Sequence, residues 1–247
     1  MKKIVVLFLV MAANLTVAQD SQDQVLLRLN YEKGATYGVS MKVSQEMGTV
    51  MSMGMTINMD IKILDKTKDT YDSEMRFTKI SMDMLQGGQA ISYDSSKSDE
   101  ELDETGKMMK TQMGPMLKAV IYLKGNSLGE VLETKVEPTI AGMEDLAKQS
   151  SNVIYPKEAL KVGSSWTTTK DEKGMKMNFI YTVKSISNKT IVLDLTGDIT
   201  GMATGKIFGN MNIESSSGIP YESFINMDMD VSGQKMLSKI TMNMGKK

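Results

Sequence analysis

The 247-residue chain sets 29 Lys and Arg against 30 Asp and Glu, and it has no His and no Cys. Without Cys there is no disulfide, no thiolate ligand and no lipid-accepting residue behind a leader; without His the usual general base and the commonest zinc ligand are missing. The near-neutral balance, with no basic stripe, argues against nucleic acid, whose phosphates call for clustered Lys or Arg.

The chain begins with Lys2 and Lys3, then the apolar run Ile4 to Ala13, then Thr16-Val17-Ala18. That layout predicts a signal peptide over residues 1–18, cleaved after Ala18. The apolar run is too short to span a membrane, which takes about 20 residues. Export to the periplasm or the outside is therefore expected, with no lipid anchor and no transmembrane span once the leader is gone. Removing 18 of 247 residues leaves 229, enough to fold on a core alone.

From there the dominant pattern has period two. Met51, Met53, Met55, Ile57, Met59, Ile61 and Ile63 alternate with Ser52, Gly54, Thr56, Asn58, Asp60 and Lys62. In a strand this puts every apolar side chain on one face; in a helix the same residues would scatter. The alternation recurs at Tyr37 to Val43, Met75-Phe77, Met175 to Val183, Ile191 to Leu195, Ile207 to Ile213, Ile225 to Val231 and Ile240 to Met244. Turn signals such as Lys33-Gly34, Gly87-Gly88, Ser187-Asn188-Lys189 and Ser216-Ser217-Gly218 separate the runs.

Two stretches depart from this pattern. In residues 95–118 an acidic run gives way to Met108, Met109, Met113, Met116 and Leu117 at roughly helical spacing. The acidic run lacks the spacing and glycine of a calcium loop and reads as solvated. Residues 138–150 open with Pro138 and place Ile140, Met143, Leu146 and Ala147 on one stripe, which predicts a short helix. Between them, Ala119 to Leu123 and Val131-Leu132 read as a hairpin. The fold class expected is mainly β (α+β): a large curved antiparallel sheet or half-open barrel, with one to three helices over its apolar face. Residues 19–247 are expected to form one β-rich domain. Within it, about 24–134 and 155–245 match weakly as pseudo-repeats, through Gly34-x-x-Tyr37 against Gly163-x-x-Trp166.

The composition stands out in its 25 Met, against 14 Phe, Tyr and Trp together. Met-x-Met pairs such as Met53/Met55, Met227/Met229 and Met242/Met244 put both thioethers on one strand face. Soft sulfur suits Cu(I), but Met is also a flexible apolar side chain that lines adaptable surfaces. No assembled nucleophile and base can be named, so a non-enzymatic protein without a cofactor is expected.

The leader, Leu29-Asn30-Tyr31-Glu32-Lys33-Gly34-x-x-Tyr37, Tyr93-Asp94-Ser95-Ser96 and Tyr155-Pro156…Gly163-Ser164-Ser165-Trp166 resemble an uncharacterised family of secreted Bacteroidota proteins, a domain of unknown function. The architecture also resembles lipoprotein-carrier half-barrels. The family implies no activity and hands over no functional residues. The carrier likeness implies an apolar cavity holding a lipid or other apolar small molecule. Its expected lining is Met55, Met59, Ile61, Trp166, Phe179, Tyr181, Met227 and Met229. The alternatives are a structural protein with a filled core and a Met-based copper binder.

Overall fold

The computed structural model describes residues 24–144, 147, 153–172 and 174–247. The expected leader and Leu146 lie outside these residues. Twelve strands form one antiparallel sheet: β1 (Thr36–Met47), β2 (Met51–Lys66), β3 (Thr70–Gln86), β4 (Gln89–Asp94), β5 (Val120–Asn126), β6 (Val131–Glu137), β7 (Ser165–Glu172), β8 (Met175–Ile186), β9 (Thr190–Gly201), β10 (Ala203–Glu214), β11 (Pro220–Val231) and β12 (Gln234–Lys246). The spatial order is β6-β5-β3-β2-β1-β12-β11-β10-β9-β8-β7, with β4 paired to β3. The sheet does not close into a barrel, since its strand order ends at β6 on one side and β7 on the other without their pairing. The chain starts in the middle, works out to one edge, crosses to the other, and works back. Its first and last strands are therefore neighbours, paired from Tyr37 with Lys246 to Met47 with Met236.

One end of the sheet is gathered. Leu29 N–H donates to Ser127 O at 2.8 Å, and the next residue, Asn30, donates to Ser217 O at 2.8 Å. Ser127 follows β5 and Ser217 lies between β10 and β11, five to six strands away. In a flat sheet that separation is about 25 Å. Two consecutive amides cannot reach both carbonyls unless the sheet curls. The crossover segment reinforces the gathering: Tyr155 N–H donates to Leu128 O, and its hydroxyl donates to Gly218 O at 2.8 Å. The Arg28 guanidinium donates to Pro156 O and Lys157 O. The bend is helped by inward glycines on β10. A Cβ at Gly205 or Gly209 would sit 2.3 or 2.0 Å from a carbonyl oxygen of β11, closer than any side chain allows.

Both halves use the same local device. Gly34 N–H donates to Ile63 O while Ile63 N–H donates to Ala35 O; Gly163 and Ser164 bracket Val183 in the same way. Thr67 with Thr70, and Ser187 with Thr190, then close equivalent turns.

The helix predicted over 95–118 is α1 (Glu104–Lys118). The Asp103 carboxylate caps it by accepting from Gly106 N–H at 2.7 Å. The acidic run before it is the loop that leads into this cap. Over 138–150, Met143, Glu144 and Ala147 are helical; Met143 and Ala147 are buried, and Ile140 packs beside them.

The apolar face is covered in three patches. The largest joins β8–β11 to Leu27, Leu29, Tyr31, Tyr155 and Leu160 of the two straps at the gathered end. A second lies where Ala119, Ile121 and Val136 meet Met143 and Ala147. The third is α1 on Ile80, Met82 and Tyr93.

Candidate functional site

Between these patches lies the seam of β1 and β12. Strand register carries rows of side chains across it on the inner face. One row is Ile80–Ile57–Met41–Met242–Ser223, and the next is Met82–Met55–Val43–Ile240–Ile225. Met41, Val43, Ile240 and Met242 are half-buried and belong to none of the three clusters. They form an apolar strip open to solvent, bordered on one side by the residues under α1 and on the other by the large core.

Beyond that strip, towards the ungathered end, branched aliphatics disappear. The next rows are Met84–Met53–Gln45–Ser238–Met227 and Gln86–Met51–Met47–Met236–Met229. Seven of these ten positions are Met, and the other three are polar. Directly opposed side chains on such strands have Cβ atoms about 4.5–5.5 Å apart.

The eight residues expected to line one cavity are divided by the structure. Met55 packs beneath α1. Met59 and Ile61 border the patch that contains Met143 and Ala147, and Ile61 also touches the large core. Phe179, Tyr181 and Met229 are buried within that core, with Trp166 and Met227 at its rim. Trp166 stacks on Tyr181 with ring centroids 5.2 Å apart and donates its indole N–H to Ile154 O. Burial pushes the hydroxyl pKa of Tyr181 up, and that of Tyr155 well up. These aromatic side chains pack within the large core or against its rim. The sequence does not single out the strip of Met41, Val43, Ile240 and Met242, although these residues sit in runs whose alternation is plain.

The outer face carries a broad depression of about 680 Å³ over the paired Gly38 and Gly245, lined also by Ser40, Asn58, Asp60 and Lys247. A Lys247–Asp60 ion pair at 2.5 Å crosses its floor. It is open and of mixed character, since Val39, Met59, Tyr221 and Met244 share its lining, and it includes none of the residues of the Met-rich rows at the ungathered end. Among the described residues no three carboxylates gather as a cation site. No helix among them is long and apolar enough to cross a membrane.

Residues 142–246 match a family of unknown function, DUF6263. The match spans β7 to β12 and part of the crossover before them. No curated protein is matched. A solved structure, "Lipid-protein interactions in lipovitellin", shares the fold with a TM-score of 0.52 at 13% identity. The alignment covers 88% of this chain and 25% of that one, so the chain spans about a quarter of lipovitellin's length. The likeness is one of fold.

Proposed function

We propose that this is an exported, non-catalytic protein that holds a lipid-like ligand against the seam of β1 and β12. The observation that carries the reading is the half-buried strip of Met41, Val43, Ile240 and Met242, which stays open while the apolar surface on either side of it is roofed. Burying such a strip gains roughly 25 cal/mol per Å² of apolar surface. β1 and β12 run for 12 and 13 residues, about 40 Å, which is ample for an extended acyl chain. Methionine suits a lining that must accept chains of varied shape, because its side chain is unbranched and polarisable. The lipovitellin-like fold supports a lipid over other apolar ligands.

The test has two arms. Protein purified from its native source is extracted with organic solvent, and the extract is analysed by mass spectrometry. In parallel, a fluorescent fatty acid is titrated into the wild type and into the M41D/M242D variant. The wild type is expected to release acyl lipid and to bind the probe, and the variant to do neither while keeping its circular dichroism. Recovery of no apolar compound, together with equal probe binding by both proteins, would end this reading.

A further inference from the structure

The rows at the ungathered end hold more sulfur than a lipid lining needs. Met51, Met47, Met236 and Met229 stand side by side on four adjacent strands, β2, β1, β12 and β11, in one unbroken cross-strand row. Met53, Met84 and Met227 stand one row below. Met47 and Met51 flank the β1–β2 turn directly, and Met229 and Met236 sit two residues inside the β11–β12 turn. The thioethers are thus gathered at the mouths of two neighbouring hairpins. Met47, Met51 and Met236 are half-buried, so solvent and a small ion can reach them, while Met229 is buried at the foot of the row.

Apolar packing alone does not explain this selection. Ten consecutive inner-face positions contain no Leu, Ile, Val or Phe, and those that are not Met are Gln45, Ser238 and Gln86. Thioether sulfur is a soft, neutral donor that prefers soft monovalent d¹⁰ cations over hard ones. Opposed residues on adjacent strands start about 5 Å apart at Cβ, and each Met has three rotatable bonds with which to bring its sulfur in.

We propose that Met47, Met51, Met229 and Met236 form a binding site for a soft monovalent cation, Cu(I) or Ag(I), at the ungathered end of the sheet. The chain has no His and no Cys, so no imidazole or thiolate competes for such an ion. Thioethers do not titrate. Binding should therefore be unchanged between pH 7 and pH 5, where a His or Cys site would lose affinity to protonation. The site does not depend on the lipid reading. A Met→Leu exchange keeps volume and apolar surface, so it removes the cation and leaves a lipid in place.

The experiment uses the full chain labelled with ¹³C at the Met methyl groups. Ag(I), which is redox-silent, is titrated in and followed by NMR, and its affinity is measured by competition with a soft-metal chelator of known constant. The expected result is one Ag(I) per chain, with shifts concentrated on the methyls of Met47, Met51, Met229 and Met236. The M47L/M236L variant should lose about a hundredfold in affinity, equivalent to two tenfold steps for two ligands. An M108L control should lose nothing, since Met108 is exposed on α1 and belongs to none of the rows. Shifts spread evenly over exposed methionines, or an unchanged affinity in M47L/M236L, would overturn the proposal. If M47L/M236L folds poorly, the shift map of the wild type decides alone.

Discussion

The two apolar surfaces of this sheet are made of different residues. On β9 and β10 the inner face is dominated by Ile191, Leu193, Leu195, Ile199, Ile207 and Ile213, each at most 2% exposed, with Ala203 and Met211 also buried there. Along β1 and β12 the face is buried at Tyr37 and Val39 near the gathered end, and continues with Met41, Val43, Met47, Met236, Ile240, Met242 and Met244, with the methionines all half-exposed. A chain merely biased towards Met would spread it through both. Branched side chains with few rotamers instead predominate in the part that packs to a fixed shape, with Met177, Met211 and Met229 as exceptions, and flexible thioethers predominate along the half-exposed seam. Packed cores need defined volumes; an open face that meets varied partners benefits from adaptable ones.

The sharpest way to break this comparison is to cut both surfaces equally. Leu193→Ala should cost about 3–4 kcal/mol, because Leu193 is fully buried and its neighbours cannot collapse into the space. Met242→Ala on the strip should cost less than about 1 kcal/mol, since water already reaches it. Urea unfolding midpoints measure both. Similar losses at the two positions would mean that the strip is an ordinary core after all.

A second change tests what keeps the filled side filled. Gly218 has φ +64°, and a Cβ there would meet Arg28 O at 2.2 Å. Gly218→Ala should therefore destabilise by about 2–3 kcal/mol, through backbone strain and displacement of the strap. Gly54 lies on the β2 side of the seam, and a Cβ there meets nothing within 4 Å. Gly54→Ala should stay within about 0.5 kcal/mol of wild type. Thermal melts of the two variants give the contrast directly, and an equal effect would disconnect the gathered end from the stability of the core.

Much of this architecture is legible in the sequence because strand alternation is a local signal. The runs around Met51–Ile63 and Ile225–Val231 announce their faces without tertiary information, and the spacing of Met108, Met109, Met113, Met116 and Leu117 announces α1. What the sequence does not show is which faces meet. Phe179 and Tyr181 alternate in the same way as Met41 and Val43, yet the former pair lies under the straps and the latter lies open. That difference arises from Leu29 and Asn30 bridging two distant turns, and from the pairing of the first strand with the last. Both are long-range facts. The Met row across β2, β1, β12 and β11 is invisible for the same reason, since its members are collected from positions 47 to 236.

The smallest expected effect concerns the roof on the Met side. α1 covers Met53 and Met55, and the loop into it leaves β4 at Asp94. Ser95 N–H donates to Ile80 O while Ile80 N–H donates to Ser95 Oγ, so this loop is fastened to the centre of β3. The Asp94 carboxylate accepts from Ser96 Oγ at 2.6 Å and Ser96 N–H at 2.9 Å, and pairs with Lys79 at 2.9 Å. The Ser96 hydroxyl and then Lys79 hold its pKa down, from 3.8 to about 2. A carboxylate depressed by folding stabilises above its ordinary pKa, and that stabilisation is lost as pH falls from 3.8 towards 2. The side chain is a quarter exposed (26%), so solvent screening reduces the gain to about 1 kcal/mol. Asp94→Asn should cost that much at pH 6, and the gap between variant and wild type should shrink to a small fraction of that by pH 2, as read from melts across the range. A gap undiminished at pH 2 would assign the cost to lost hydrogen-bond geometry and not to charge. A gap absent at pH 6 would show that α1 is held by its apolar contacts with Met53, Met55 and Met82 alone.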